Sequence, residues 1–360
     1  MSALQPVADT VARVMICDDS AVIRGVIARI LEADPGVRVV AKVGDGRAAL
    51  AELARTEVDV VVLDIEMPVL DGMAALPLLL RADPGLRVIM ASSLTTRGAD
   101  IAMRALRLGA SDYVPKPTSV GGGGDEVFRR DLLEKVKGLA RLRRRARLPP
   151  QPPPTNAGSM LRPRPLLQPR LLAIGSSTGG PQALFTLVQG LGVSVPTPVV
   201  LTQHMPATFT PILADHLTKL GGMRCSEAID GERLEVGRIY LAPGARHLTI
   251  EGDKNAMRVR LTDDPPENYC RPSVDAMLRS ASAACGGRVL VAMLTGMGHD
   301  GLAGTRTVVE AGGAAIAQDE ATSVVWGMPG AIAQAGLCHE VLPLPKIAPK
   351  LLNMLRTTRS

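Results

Sequence analysis

Short aliphatic, β-branched runs alternate with amphipathic helical patterns through most of this chain, and the alternation breaks in one place. Residues 139–169 read "LARLRRRARLPPQPPPTNAGSMLRPRPLLQP". Proline-rich chain of this kind is semi-extended and cannot be a core. The stretch is therefore expected to be a basic, proline-rich linker, 139–169, between a domain at 12–138 and another at 170–356. A chain of 360 residues is comfortable for two domains.

Before the linker, "RVMIC", "RVVAKV", "VDVVVL", "RVIMA" and "SDYV" read as strands, with helical patterns such as "AVIRGVIARILEA" and "GADIAMRALRLG" between them. Apolar strands separated by helices imply right-handed crossovers and a parallel, doubly wound α/β sheet of flavodoxin-like order. After the linker the pattern returns in "RLLAIG", "TPVVLTQ", "RIYLA", "RVLVAML" and "GAAIAQ". That predicts a second, Rossmann-like parallel sheet. Residues 247–262 differ: two alternating runs flank "GDKN", which predicts an antiparallel β-hairpin added to that sheet.

Composition narrows the classes. Aromatic residues make up only 2% of the chain, so small aliphatic side chains must fill both cores. The net charge of +6 is concentrated in residues 129–147, which carry nine basic and two acidic residues. With few rings to stack bases and no helix-turn-helix or zinc finger, no nucleic-acid partner is expected. No apolar run approaches the ~18 residues of a spanning helix, so no membrane insertion is expected. Five scattered cysteines without a C-x-x-C spacing fit reduced thiols and a cytoplasmic protein, with neither disulfides nor structural zinc.

In a doubly wound sheet, chemistry gathers where the parallel strands end. In the first domain Asp18 and Asp19 follow the first strand, Asp64 the third, Ser92 the fourth and Lys116 the fifth. Clustered carboxylates suit Mg²⁺, with Asp19 and Asp64 as ligands. A carboxylate beside a metal ion and a lysine can accept a phosphoryl group, whose oxygens Ser92 would bind and whose arrival Tyr113 would follow. Each acidic residue taken singly also reads as an ordinary helix cap. The ordered set "CDDS", "DIEMPVLDG", "MASS", "YVPKP" resembles the response-regulator receiver family. The resemblance implies phosphorylation of Asp64 by a histidine kinase, Mg²⁺ at the site, supporting roles for Asp18, Asp19, Ser92 and Lys116, and a cis Lys116–Pro117 bond.

The second domain opens with "LLAIGSSTGGPQALFTLV". The dinucleotide pattern fails here, and a Walker loop would need a lysine. What matches is G-x-S-x-G on Gly175, Ser177 and Gly179, after a strand and before a helix, the context of a nucleophile elbow. Ser177 or Thr178 capping the helix is the competing reading. A nucleophilic serine needs a base, and the base an orienting acid. His204 and Asp300 follow strands that end on the same edge, which gives a candidate triad of Ser177, His204 and Asp300. The amides of Thr178 and Met297 are candidates for an oxyanion hole, and no cofactor is required. His216 and His339 read as structural or surface residues; His247 stays open.

The stretches "IGSSTGG", "TQHMP", "DDPPENYCRPSVDAML", "LTGMGHDGLAG" and "AQDEATSVVWGMPGAIAQAG" resemble the catalytic domain of chemotaxis protein-glutamate methylesterases. That family's nucleophile, base and acid fall on Ser177, His204 and Asp300. His299 stands where the family often has asparagine, so a second imidazole competing for Asp300 is expected. Receiver, linker, then esterase implies hydrolysis of glutamate methyl esters on methyl-accepting chemotaxis receptors, with methanol released and glutamine deamidation as a related reaction. Control would come from the receiver covering the catalytic edge until Asp64 is phosphorylated. The alternative is a response regulator whose second domain only binds a partner; a nucleotide-binding enzyme fits the glycine-rich turns less well.

Overall fold

The structure, a computed structural model, describes residues 11–93, 95–116, 125–147, 168–253 and 256–356. By its internal contacts the chain divides into two units, 1–149 and 150–360.

In the first unit the aliphatic runs form β1 (Ala12–Cys17), β2 (Val37–Val43), β3 (Val60–Asp64), β4 (Arg87–Ser92) and β5 (Asp112–Pro115). They lie in the order β2-β1-β3-β4-β5, every pair parallel. Helices α1 (Ala21–Glu32), α2 (Gly46–Leu53), α3 (Gly72–Ala82), α4 (Thr96–Arg107) and α5 (Asp125–Arg147) make the connections and close the unit. Ser20, Asp45, Asp71 and Thr95 cap the first four helices through their side chains. Each satisfies amides that a helix start leaves without partners. Asp18, Asp19 and Asp64 are left out of this capping.

The expected linker does not begin at 139. Helix α5 runs on to Arg147, with Leu139 and Ala140 buried on its inner face. The arginine run hid this, because Arg143 is itself buried. Its guanidinium lies 2.7 Å from Asp83 and 3.5 Å from Asp59. Lys135 is buried too, 2.8 Å from Asp131 and 2.6 Å from the Tyr113 carbonyl. Part of what reads as solvated charge is an internal ion-pair set.

The second unit contains β6 (Leu171–Ser176), α6 (Gly180–Leu191), β7 (Val199–Gln203), α7 (Thr210–Gly221), β8 (Arg224–Glu227) and β9 (Arg238–Leu241). Next come β10 (His247–Glu251), β11 (Arg258–Thr262), α8 (Val274–Cys285), β12 (Val289–Met293) and α9 (Leu302–Glu310). It ends with β13 (Ala314–Gln318), α10 (Met328–Gln334), β14 (Glu340–Leu342) and α11 (Leu344–Arg356). Seven strands form one parallel sheet, β14-β13-β12-β6-β7-β9-β8. Strand β6 is central, with β12 and β7 beside it. The topology therefore brings the ends of these three strands together.

Two features differ from the reading of the sequence. The hairpin β10–β11 is a two-stranded sheet of its own rather than an addition to the parallel one. Its apolar face, Leu248 and Ile250, joins the buried cluster that includes Met277 and Ala281 of α8. The other is β8, a short edge strand whose sequence "RCSE" carries no hydrophobic alternation.

Candidate active site

In the first unit Asp18 follows β1 and Asp64 ends β3, two strands paired in the sheet. Lys116 bridges them, its Nζ 2.9 Å from Asp18 Oδ2 and 2.7 Å from Asp64 Oδ1. Carboxylate oxygens of Asp18, Asp19 and Asp64 lie within 4.8 Å of one another. Burial and the neighbouring Asp18 charge push the Asp64 carboxyl above its ordinary range, against the pull of Lys116. Burial would lower the Lys116 ammonium, but the two carboxylates outweigh it and raise it. Asp64 Oδ2 and Ser92 Oγ are buried and make no hydrogen bond to a described residue. A buried polar atom without a partner calls for one. These hard oxygens fit a divalent cation, and the Ser92 hydroxyl fits an oxygen of an attached group. Pro117 lies outside the described residues, and with it the expected cis bond.

In the second unit Ser177 sits on the turn between β6 and α6. Gly179 makes that turn at φ 74°, in the left-handed region that glycine enters freely, and a Cβ there would lie 2.4 Å from Val324 Cγ2. The Ser177 amide donates to the Thr295 carbonyl (3.0 Å). Gln203, at the end of β7, donates to the carbonyls of both Ser177 and His204 (3.0 Å each) and accepts from Ser176 Oγ (2.7 Å). One amide side chain thus ties the two turns to each other.

His204 Nε2 is 2.8 Å from Asp300 Oδ2. Asp300 is buried at the N-terminus of α8, where its oxygens accept from the amides of Val274 (2.7 Å) and Asp275 (3.1 Å). They accept as well from Ser273 Oγ (2.8 Å) and Asn268 Nδ2 (3.1 Å). A carboxylate with several donors at a helix start is strongly held in its charged form. Burial alone would raise the Asp300 pKa, yet His204, Val274 and Ser273 lower it to about 2. Burial likewise would lower the His204 pKa, but the bond to Asp300 and the adjacent Cys270 raise it to about 9. With Nε2 donating to Asp300, the neutral ring leaves its lone pair on Nδ1. That nitrogen lies 3.6 Å from Cys270 Sγ. No hydrogen bond joins Ser177 Oγ to His204 among the described residues.

The structure corrects the expectation for His299. It is exposed, and the partners of Asp300 are those just named; the side chain turns to solvent instead of competing for the carboxylate. His247 is buried, accepting from the Ser273 amide at Nδ1 (3.1 Å) and lying 3.2 Å from the Pro265 carbonyl at Nε2. It braces the chain just before α8. His216 is also buried, within α7.

Gln203, Asn268, Cys270 and Ser273 form the surroundings of the His204–Asp300 pair, and sequence reasoning did not assign them roles. Only their presence in "TQHMP" and "ENYCRPSVD" was available as a signal.

The family model described as "CheB methylesterase" matches residues 172–351, and that described as "Response regulator receiver domain" matches residues 14–121. The protein-glutamate methylesterase/protein-glutamine glutaminase 1 of Paramagnetospirillum magneticum (strain ATCC 700264 / AMB-1) is 52% identical over 373 residues, covering 97% of each chain. The chain belongs to the CheB methylesterase family. A second CheB-type relative, the protein-glutamate methylesterase/protein-glutamine glutaminase of Azospirillum brasilense, is 53% identical, covering 94% of this chain and 91% of that one. The crystal structure of the Thermotoga maritima CheB methylesterase catalytic domain is 37% identical, with a TM-score of 0.51. It covers 52% of this chain and 100% of that one. The CheB fold thus accounts for the second unit and a receiver domain for the first. Among the described residues no helix is long and apolar enough to cross a membrane.

Proposed function

We propose that this chain hydrolyses glutamate methyl esters on methyl-accepting chemotaxis receptors in the cytoplasm, releasing methanol, and that phosphorylation of Asp64 by a histidine kinase activates it. The observation that carries the catalytic part is the 2.8 Å bond between His204 Nε2 and an Asp300 held by the start of α8. That arrangement leaves one nitrogen, Nδ1, to accept a proton.

Ser177 is the nucleophile. Its Oγ attacks the ester carbonyl carbon as its proton passes to His204 Nδ1, and Asp300 stabilises the imidazolium that forms. The bond from Oγ to Nδ1 is one that substrate binding has to tighten, as is common for catalytic hydrogen bonds in free enzymes. The negative carbonyl oxygen of the tetrahedral intermediate takes hydrogen bonds from the amides of Thr178 and Met297, each worth ~3 kcal/mol in studied enzymes. Neither amide donates to another described residue. The intermediate collapses, the C–O bond to the methoxy group breaks, and His204 returns the proton so that methanol leaves. Water then attacks the acyl-enzyme with His204 again as base, and glutamate is released with Ser177 restored. The same sequence on a glutamine side chain expels ammonia, which is the deamidation named for the relatives.

In the first unit Asp19 and Asp64 would hold Mg²⁺, which when bound offsets the charge of an incoming phosphoryl group. Asp64 is the acceptor, Lys116 balances the added charge, and the unpartnered Ser92 hydroxyl bonds one of the new oxygens. The phosphoryl group adds ~1.5–2 negative charges, enough to shift a two-state element.

The deciding experiment is methanol release from methylated receptor membranes by the wild type and by Ser177→Ala, each with and without a phosphodonor and Mg²⁺. Release that needs Ser177 and rises with phosphodonor is expected. Absence of release from the phosphorylated wild type would overturn the esterase reading and favour a binding output.

A further inference from the structure

We propose that Cys270 Sγ and His204 Nδ1 form a binding site for Zn²⁺ at the esterase centre. Its consequence, inhibition, rests on the reading of His204 as the base; the site itself does not.

Cys270 is the one thiol of the five that is not buried. Burial pushes the other thiols up, Cys17, Cys225 and Cys338 to about 12 and Cys285 to about 11, which keeps them protonated. Cys270 Sγ lies 3.6 Å from His204 Nδ1. A thiol is a weak hydrogen-bond partner, so the contact contributes little in that role. It has the span of a pair of zinc ligands. Zinc takes cysteine sulfur at about 2.3 Å and histidine nitrogen at about 2.0–2.1 Å, and a tetrahedral angle then separates the two atoms by about 3.6 Å.

The far side of the imidazole is prepared as well. Histidines that bind zinc almost always donate their other N–H to a carboxylate or carbonyl, which fixes the tautomer and makes the ligating nitrogen more basic. Here Nε2 is bonded to Asp300, so the neutral ring has its lone pair on the nitrogen beside Cys270. Asp300 lies within 4.8 Å of both groups, but its oxygens already accept from His204, Ser273, Asn268 and two amides. It orients the ring and does not ligate.

The position of Cys270 is fixed by a tight turn. Glu267 and Cys270 exchange both backbone hydrogen bonds, at 2.8 and 3.1 Å. Between them Asn268 and Tyr269 have φ of 52° and 62°. Two consecutive non-glycine residues in the left-handed region are strained, and such strain persists only where the surroundings impose it. Asn268 is held by Asp275 Oδ2 (2.9 Å) and Asp300 Oδ1 (3.1 Å), so the turn is anchored to the same carboxylate as the imidazole. The donor pair thus stands on one braced frame before any metal arrives. A thiolate with an imidazole selects zinc over magnesium or calcium. On binding, the Cys270 thiol and, below about pH 9, His204 Nδ1 each release a proton to solvent. Nδ1 gives the lone pair so freed to the ion, and water fills the remaining positions. Nδ1 can then no longer accept the Ser177 proton.

The test uses the full-length protein with Co²⁺ as the spectroscopic probe and Zn²⁺ as competitor. The wild type is compared with Cys270→Ser and with Asp64→Asn, which removes an acidic oxygen of the first unit. A near-ultraviolet thiolate-to-cobalt charge-transfer band is expected in the wild type and in Asp64→Asn, displaced by Zn²⁺ and lost in Cys270→Ser. Oxygen ligands alone cannot give that band. Half-inhibition of methanol release, each protein scaled to its own metal-free rate, is expected to need at least about tenfold more zinc in Cys270→Ser. No band in the wild type, or a band that survives Cys270→Ser, overturns the site. A band lost in Cys270→Ser without zinc inhibition upholds the site and overturns instead the reading of Nδ1 as proton acceptor.

Discussion

Ser273 Oγ donates to Asp300 Oδ1 across 2.8 Å while the same oxygen accepts from the Asp275 amide at 3.1 Å. One hydroxyl therefore caps α8 and orients the acid of the candidate triad. Ser273→Ala removes both at once. The lost cap costs about 1 kcal/mol, and Asp300 keeps its amide donors but loses the hydroxyl. The expected outcome is a lower kcat with KM little changed, together with a small fall in melting temperature. Ser273→Thr restores most of both. Steady-state methanol release for the three proteins is the measurement, and an unchanged kcat in Ser273→Ala would mean that the amides alone hold the acid.

With His204 as the proposed base, its bond to Asp300 is expected to make the reaction alkaline. Burial opposes charge on both groups, but their mutual bond prevails and sets His204 at about 9 and Asp300 at about 2. A base must be neutral to accept a proton. The competent fraction therefore grows as pH rises, and kcat/KM is expected to climb through the region near pH 9 rather than near the ordinary 6.5. Asp300→Asn should move that limb to lower pH while reducing the plateau. Stability follows from the same two shifts, and for His204 it runs opposite to activity. His204, raised, contributes stability that is full below about pH 6.5 and lost as pH rises through about 9. Asp300, depressed, contributes above about pH 3.8 and loses this as pH falls through about 2. A pH–rate profile of both proteins decides the point.

Arg143 anchors the last turns of α5 to Asp59 and Asp83. Arg143→Met keeps much of the volume and leaves Asp83 without its arginine, while Asp59 retains Arg13 at 3.0 Å. Asp83 is partly exposed and can be hydrated, so losing its charged hydrogen bond costs about 1.5 kcal/mol rather than the full penalty of a stranded buried charge. Hydrogen exchange should show faster opening of α5 and β3 in this variant, with the segments of the second unit unaffected. Equal exchange in wild type and variant would show that the arginine run is the solvated tether its composition suggests.

That case shows where the sequence is legible. The aliphatic strands announce themselves because a parallel sheet buried on both faces needs continuous apolar runs, and the interior of β3, "VVVL", is such a run. The edge strand β8 carries no such signal, since its register comes from pairing with β9. Ser177, His204 and Asp300 could be named because strand ends are where a doubly wound sheet exposes side chains. Asn268 and Cys270 could not, because their approach to His204 and Asp300 depends on a turn with two consecutive positive φ values, and tyrosine at the second of them gives no sign of it. Arg143 is the opposite failure: a charge read as outside is inside, with its partners 60 and 84 residues away in the chain.

Gly296 lies against Ser177, the proposed nucleophile. A Cβ built there would stand 2.9 Å from Ser177 Cβ and 2.4 Å from Met328 Sδ. The methionine sulfur is flexible and can give way. Ser177 cannot do so readily, because its amide is bonded to Thr295 and its carbonyl to Gln203. The φ of Gly296 is outside the left-handed region, so alanine is allowed by the backbone and acts by contact alone. Gly296→Ala should therefore fold while shifting the Ser177 side chain by a fraction of an ångström. Displacements of about 1 Å in an active site cost on the order of a hundredfold in rate, so a fall in kcat of roughly tenfold or more is expected. Labelling of Ser177 by a serine-directed reagent should slow in parallel, since it needs the same placement of Oγ. If labelling and methanol release both match the wild type, the turn at Ser177 is softer than its hydrogen bonds imply; if only methanol release falls, the alanine obstructs substrate and not the nucleophile.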